Sequence, residues 1–223
     1  MASYQRIACD FYDHFEIHAS RRDWVSIETK DGDRLNTRIK SLETKDKEEF
    51  AILLSDKRLR LDQVSSMALL KDVDPSIWRI CDMLDYDLWA SRKVLGILEN
   101  KELPDNLKKR FSHILNVQNI WLDRINDTKG LDESWSMIPL ADWPTITHQA
   151  NTRLLAMLED ASLDRQIYYS DVSGNKHQTS LGDVLHHLVN HGTYHRGQIM
   201  DIVRELCYET TPTDYIYYVR FRR

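Results

Sequence analysis

Between Leu185 and Ile199 the chain reads LHHLVNHGTYHRGQI. His187, His191 and His195 recur every fourth residue, and residues four apart on a helix lie one above another on a single face. Two imidazoles at i and i+4 can reach one metal ion, the spacing that HExxH proteases use. Here Gly192 follows His191, so the carboxylate base of that motif is missing. The stripe continues through Leu188, Ile199 and Ile202, which puts the histidines on or beside a core-facing side. One reading makes them ordinary helix histidines bonded to backbone and to each other. The other makes them metal ligands. A buried cluster without a metal is costly, because neutral rings lack donors and charged rings repel one another away from water. A divalent ion resolves that conflict by accepting the lone pairs. A further imidazole, His113 in SHILNVQNIWLDRI, is available from another helix. Three neutral nitrogens on two facing helices would leave coordination positions open, the pattern of a catalytic metal. Such an ion lowers the pKa of bound water or activates a thiolate. His14, His18, His148 and His177 stand in other contexts and read as structural or solvated.

Composition narrows the classes around this cluster. The 223 residues hold nine histidines but only seven glycines, and neither GxGxxG nor GxxxxGKS occurs. Phosphate-cradling loops need glycine, so Rossmann and P-loop chemistry is disfavoured. A hydrophobic fraction of 42% and a charged fraction of 29% fit a chain that buries a core. The net charge of −5 offers no basic face for nucleic acid. Cys9, Cys81 and Cys207 are odd in number and widely spaced, so they read as buried or partly buried thiols in a reducing cytosol. The N-terminal segment lacks the pattern of a signal peptide, and no apolar run is long enough to span a membrane. A cytoplasmic protein is expected.

Two kinds of periodicity must position the histidines. Before about residue 73 the apolar residues alternate. Val25 and Ile27 lead into the turn Asp31-Gly32; Leu35, Thr37 and Ile39 follow; then come Phe50, Ile52 and Leu54, and Leu59 with Leu61. This predicts antiparallel strands after a helix over 10–22. A helix and four or five short strands in so few residues predict a small barrel, since closure removes exposed edges. From Asp74 the period is helical. Helices are expected over 74–100, with Asp74 capping and Pro75 in the first turn, and over 105–126. A loop through Gly130, Trp135, Pro139, Trp143 and Pro144 precedes a helix over 145–160. A short hairpin over 165–179 carries Ile167, Tyr169, Val172 and Gly174. A last helix runs from Ser180, where Ser180 and Asp183 form a capping pair, to about Leu206. Four such helices predict a bundle. The expected class is therefore α+β with two domains, residues 1–72 and residues 73–223. Gly192 and Gly197, both within the histidine helix, are expected to permit close helix approach.

The segments YDLWASRKVL, SHILNVQNIWLDRI, VLHHLVNHGTYHRGQI and TPTDYIYYVR resemble, in order and spacing, the DinB family of damage-inducible bacterial proteins. The resemblance covers about residues 74–220. It implies a four-helix bundle holding nickel, zinc or a similar divalent ion on His113, His191 and His195. His187 then becomes a neighbour or alternative ligand, and Gln198 a residue that supports the site. It also implies a stress-response setting, a homodimer, and chemistry of the thiol-dependent transferase or hydrolase type with a low-molecular-weight thiol or other small molecule. Over about residues 3–70, YQRIACDFYDHFEI, VSIETKDGDRL, EEFAILL and RLRLDQVSSM resemble the Rof family of Rho-binding antiterminators. That resemblance implies an Sm-like small barrel behind a helix, and the terminator Rho as partner.

Three functions follow as expectations. The first is a metal-dependent enzyme built on the histidines. The second is a regulatory protein that docks on Rho or another RNA-associated partner through its N-terminal part, with the helical part as sensor or dimerising body. The third couples the two, the helices sensing a metal, thiol or stress compound that the strand-rich part reports. No general base is placed by spacing.

Overall fold

The computed structural model describes residues 4–128, 133–159, 162–171 and 173–221. The chain divides into two compact units. One comprises Met1–Ile77 with Leu155–Ala161, the other Trp78–Leu154 with Ser162–Arg223.

In the first unit, helix α1 (Cys9–Arg21) precedes strands β1 (Trp24–Thr29), β2 (Arg34–Lys45), β3 (Glu48–Leu53), β4 (Arg58–Arg60) and β5 (Val64–Leu69). The Asp31-Gly32 turn forms as expected, with Gly32 in the left-handed region at φ 89°. The β2–β3 turn uses no glycine. Asp46 and Lys47 take φ values of 53° and 66°, the doubly left-handed form that matches the twist of a two-residue hairpin. Val25, Ile27, Ile39, Ala51, Leu53 and Leu59 point inward and bury Phe15 of α1 among them. Glu159, from the segment that joins this unit late in the sequence, accepts from the buried Thr37 hydroxyl at 2.6 Å and the Ser55 amide at 3.3 Å.

The closed barrel expected from the alternation is not formed. Strand order is β4-β3-β2-β1-β5, an open sheet whose edges are β4 and β5. Alternation reports which face is buried, not whether the last strand meets the first. Here β4 is only three residues long, and a 3-10 turn over Leu61–Gln63 delivers the chain directly to the far edge, beside β1. The short β4 carries Arg58 and Arg60, charges that discourage another strand from adding.

In the second unit, α2 (Pro75–Leu98, its first turn in the other unit) is followed by α3 (Asp105–Ile125) and α4 (Trp143–Ala156). Then come the hairpin β6 (Gln166–Ser170) and β7 (Lys176–Ser180), α5 (Leu181–Glu205) and a short α6 (Tyr215–Phe221). Asp74 caps α2 by accepting from the Ser76 amide at 2.8 Å, and Ser180 caps α5 by accepting from the Asp183 amide at 3.1 Å. Val94 and Leu98 of α2, Phe111 and Leu115 of α3, Trp143 of α4, and Ile199 and Val203 of α5 share one apolar cluster. Trp143 and Pro144 open α4 rather than lying in a loop. The Trp143 ring is fully buried, stacks on Phe111 at 4.5 Å and donates to the Ile138 carbonyl at 3.1 Å. Gly130, Asp160 and Val172, named above in loop, helix and hairpin, lie outside the described residues. All three cysteines are free thiols, but only Cys81 is buried; Cys9 and Cys207 are exposed, against the expectation. Among the described residues no helix is long and apolar enough to cross a membrane.

Candidate metal centre

The α3–α5 pair builds the site. Burial of Phe111, Ile114, Leu115 and Leu122 fixes one face of α3, and burial of Leu188, Ile199 and Val203 fixes one face of α5. His113 and His191 then meet from opposite helices, Nε2 to Nε2, at 3.1 Å. His195 completes the group, and the ligand atoms of the three residues lie within 4.8 Å of one another. His113 and His195 are buried and His191 is partly so. His187 is left outside this group. Its ring centre is 5.6 Å from that of His191, its side chain is exposed, and its ring lies edge-on to Trp121.

Hydrogen bonds set which nitrogen of each ring is available. His113 Nδ1 lies 2.8 Å from the Ser134 carbonyl. A carbonyl only accepts, so Nδ1 carries the proton and Nε2 of a neutral ring offers a lone pair. His195 Nδ1 lies 2.9 Å from Gln198 Oε1, and that oxygen also accepts from the Arg110 guanidinium at 2.5 Å. Arg110 can only donate, which fixes the amide orientation and makes His195 Nδ1 the donor. Its Nε2 is therefore free as well. The second partner that orients a ligating imidazole is thus present for two of the three rings.

Electrostatics agree with neutral rings. Burial lowers the pKa of His113, partly opposed by the Ser134 bond. Burial also lowers that of His195, opposed by Gln198 and reinforced by His113 and Arg110. His191 falls to about 3, first through burial and then through repulsion from His195, His113 and His187. Three imidazoles that resist protonation and aim lone pairs into one small volume suit a divalent cation, and the residues present fit one.

A segment that periodicity could not foresee closes one side. The Trp135 ring stacks on His113 at 3.7 Å with 3° between planes, and remains 51% exposed. Its strap is clamped to α3. Asn116 donates to the Ser136 carbonyl at 2.8 Å, and Ser112 Oγ accepts from the Ile138 amide at 3.0 Å. Arg110 and Ser134 also escaped the sequence reading. Arg110 stands at i−3 from His113, a spacing that could have raised it, whereas a backbone carbonyl leaves no trace in sequence. His18 pairs with Asp23 and His177 with Asp171, each at 2.9 Å, and neither joins the group.

Residues 6–81 match the family model for the modulator of Rho-dependent transcription termination (ROF). A relative, Protein DinB of Bacillus subtilis (strain 168), is 24% identical over 159 residues, covering 61% of this chain and 91% of the relative. The DinB family model matches residues 61–222, a stretch that includes all three clustered histidines and most of the 223 residues. The chain belongs to the DinB family.

Proposed function

We propose that this chain is a metal-binding protein in which His113, His191 and His195 hold one divalent ion, nickel or zinc, and that it works as a metal-dependent enzyme of the thiol-dependent transferase or hydrolase type. The observation that carries the reading is the convergence of three ring nitrogens, with Nδ1 of His113 and His195 already engaged elsewhere. When bound, such an ion polarises a substrate oxygen or lowers the pKa of a coordinated water or thiol. The chain's own residues do the rest. The Ser134 carbonyl and Gln198 hold two imidazoles in the required tautomer, and Trp135 shields one face of His113 from water. In this reading residues 73–223 form a four-helix bundle that dimerises and takes a small molecule, and residues 1–72 form a Rof-like module. Metal analysis of protein purified without an affinity tag tests it. Near-stoichiometric metal is expected, with loss in His191→Ala. Absence of metal from the parent, or unchanged content in the variant, removes the basis for the reading.

The match of residues 6–81 favours a second role, regulation through Rho. Full-length protein used as bait in a bacterial lysate is expected to enrich Rho. No enrichment over a bait lacking the first 72 residues counts against that role.

A further inference from the structure

The helices that carry the histidines also share a buried polar group that the proposed site does not itself use. Asp87 of α2, Gln118 of α3 and Arg196 of α5 are 5%, 5% and 1% exposed. One Asp87 oxygen accepts from Arg196 at 2.5 Å, and the other accepts from the Gln118 amide at 3.0 Å. Arg196 also donates to Ser91 at 3.2 Å and to Thr193 at 3.1 Å. The Gln118 oxygen is buried with no partner among the described residues, so Asp87 is what orients that side chain. A single carboxylate therefore grips both helices that carry the histidines.

The sequence position of these contacts is the second observation. Arg196 directly follows His195, and Gly192 directly follows His191. A β-carbon at Gly192 would stand 2.5 Å from Asp87 Oδ1 and 2.8 Å from the Arg196 guanidinium. Asp87 thus lies against the α5 backbone at the one turn that joins the two histidines. Its carboxylate is short and held at both oxygens, so it has little room to yield. Gly197, in contrast, faces open space, and the expected close approach at that position does not occur.

We propose that Asp87 is a positioning residue for the histidine cluster. By binding Arg196 and Gln118 together, with Gly192 permitting the approach, it sets the rotation of α5 relative to α3. Buried ion pairs contribute little net stability compared with apolar packing, so stability alone is a weak reason for this arrangement. Register is a stronger one. An imidazole nitrogen lies about 6 Å from its helix axis, so a rotation of about 10° displaces it by roughly 1 Å. Metal–nitrogen distances tolerate only about 0.2 Å.

The inference rests on the metal reading but can be tested apart from it. In the metal-free protein, Asp87→Asn and Gly192→Ala should each shift the side-chain 15N resonances of His191 and His195 while leaving His148 and His177 in place. In titrations with Co2+, both variants should bind about ten- to a hundredfold more weakly and show an altered visible spectrum. Val203→Ala, a cavity in the core of the same helix, serves as the control: it should lower the melting temperature without moving either readout. Wild-type affinity, spectrum and imidazole resonances in both variants would overturn the inference, as would the same changes in Val203→Ala. Failure of the parent to bind Co2+ would instead sink the metal reading, leaving the 15N shifts to decide the role of Asp87.

Discussion

Each imidazole of the cluster has a different neighbour, and the neighbours decide its chemistry. His191 has the lowest pKa, about 3 against an ordinary 6.5, because it is buried and faces the other rings. His113, His187 and His195 are lowered too, with burial the largest cause for each. The sign of the stability effect follows. Between 6.5 and about 3 the unfolded chain holds a proton at residue 191 that the folded chain does not. Stability of the metal-free protein is therefore fully present above 6.5 and is lost as pH falls. Urea midpoints measured at pH 7.5, 6.5 and 5.5 should decline in that order, and His191→Ala should flatten the decline. A midpoint that rises on acidification contradicts the neutral assignment. At the same scale, the indole of Trp135 lies flat on His113, so an ion on that imidazole should perturb its emission. Co2+ should quench fluorescence in the parent and quench it less in Trp135→Phe; equal quenching in both would rule out the stacked geometry.

At the scale of elements, α5 matters most, since it carries two of the three clustered histidines and Arg196. Its start is fixed by Ser180, whose hydroxyl accepts from the Asp183 amide. Ser180→Ala should cost about 1 kcal/mol in chemical denaturation. Metal content should be unchanged, because the cap lies about three turns from His191; a loss of metal would show that the helix end and the site are coupled. The boundaries of α3 and α5 were readable within a residue or two. The spacing of Ile114–Leu115 and Leu188–Ile199 marks faces that must be buried, and caps and breakers mark the ends. The start of α4 lies two residues before the expected 145, because Trp143-Pro144 has the composition of a loop but forms the first turn of the helix. Burial against Phe111 overrides that local signal. Helix α6 carries only seven residues, too few for periodicity to declare.

Across the whole molecule, two family matches divide the chain at residues 61–81, where they overlap. Each compact unit has its own apolar cluster, with Phe15, Ile27 and Ile39 in one and Phe111, Trp143 and Ile199 in the other. The open sheet has a consequence at this scale. Its β5 edge exposes Ser65, Ser66, Ala68 and Leu69, a strand edge without a neighbour among the described residues. The Leu70 amide donates to the Trp24 carbonyl, so in this antiparallel register the Leu69 amide faces away from β1. If Rho is captured by the full chain, Leu69→Pro, which removes that outward donor, distinguishes strand addition from side-chain docking. Loss of capture is expected only if the partner extends the sheet.

By itself, the sequence determined which residues could bind a metal and which elements carry them. Helical spacing and residue chemistry are local properties, and they picked out His187, His191 and His195 with His113 as a further candidate; the resemblance to the DinB family narrowed these to His113, His191 and His195, with Gln198 in support. Only the tertiary structure decided the tautomers, through a Ser134 carbonyl that any residue could supply, and the stacking of Trp135 from a strap without periodicity. It also decided that the sheet stays open, because closure depends on where the last strand is delivered rather than on alternation within strands. The grip of Asp87 on Arg196 and Gln118 belongs to the same class. It joins residues 109 and 31 positions away along the chain, and no local pattern encodes a contact between three helix faces.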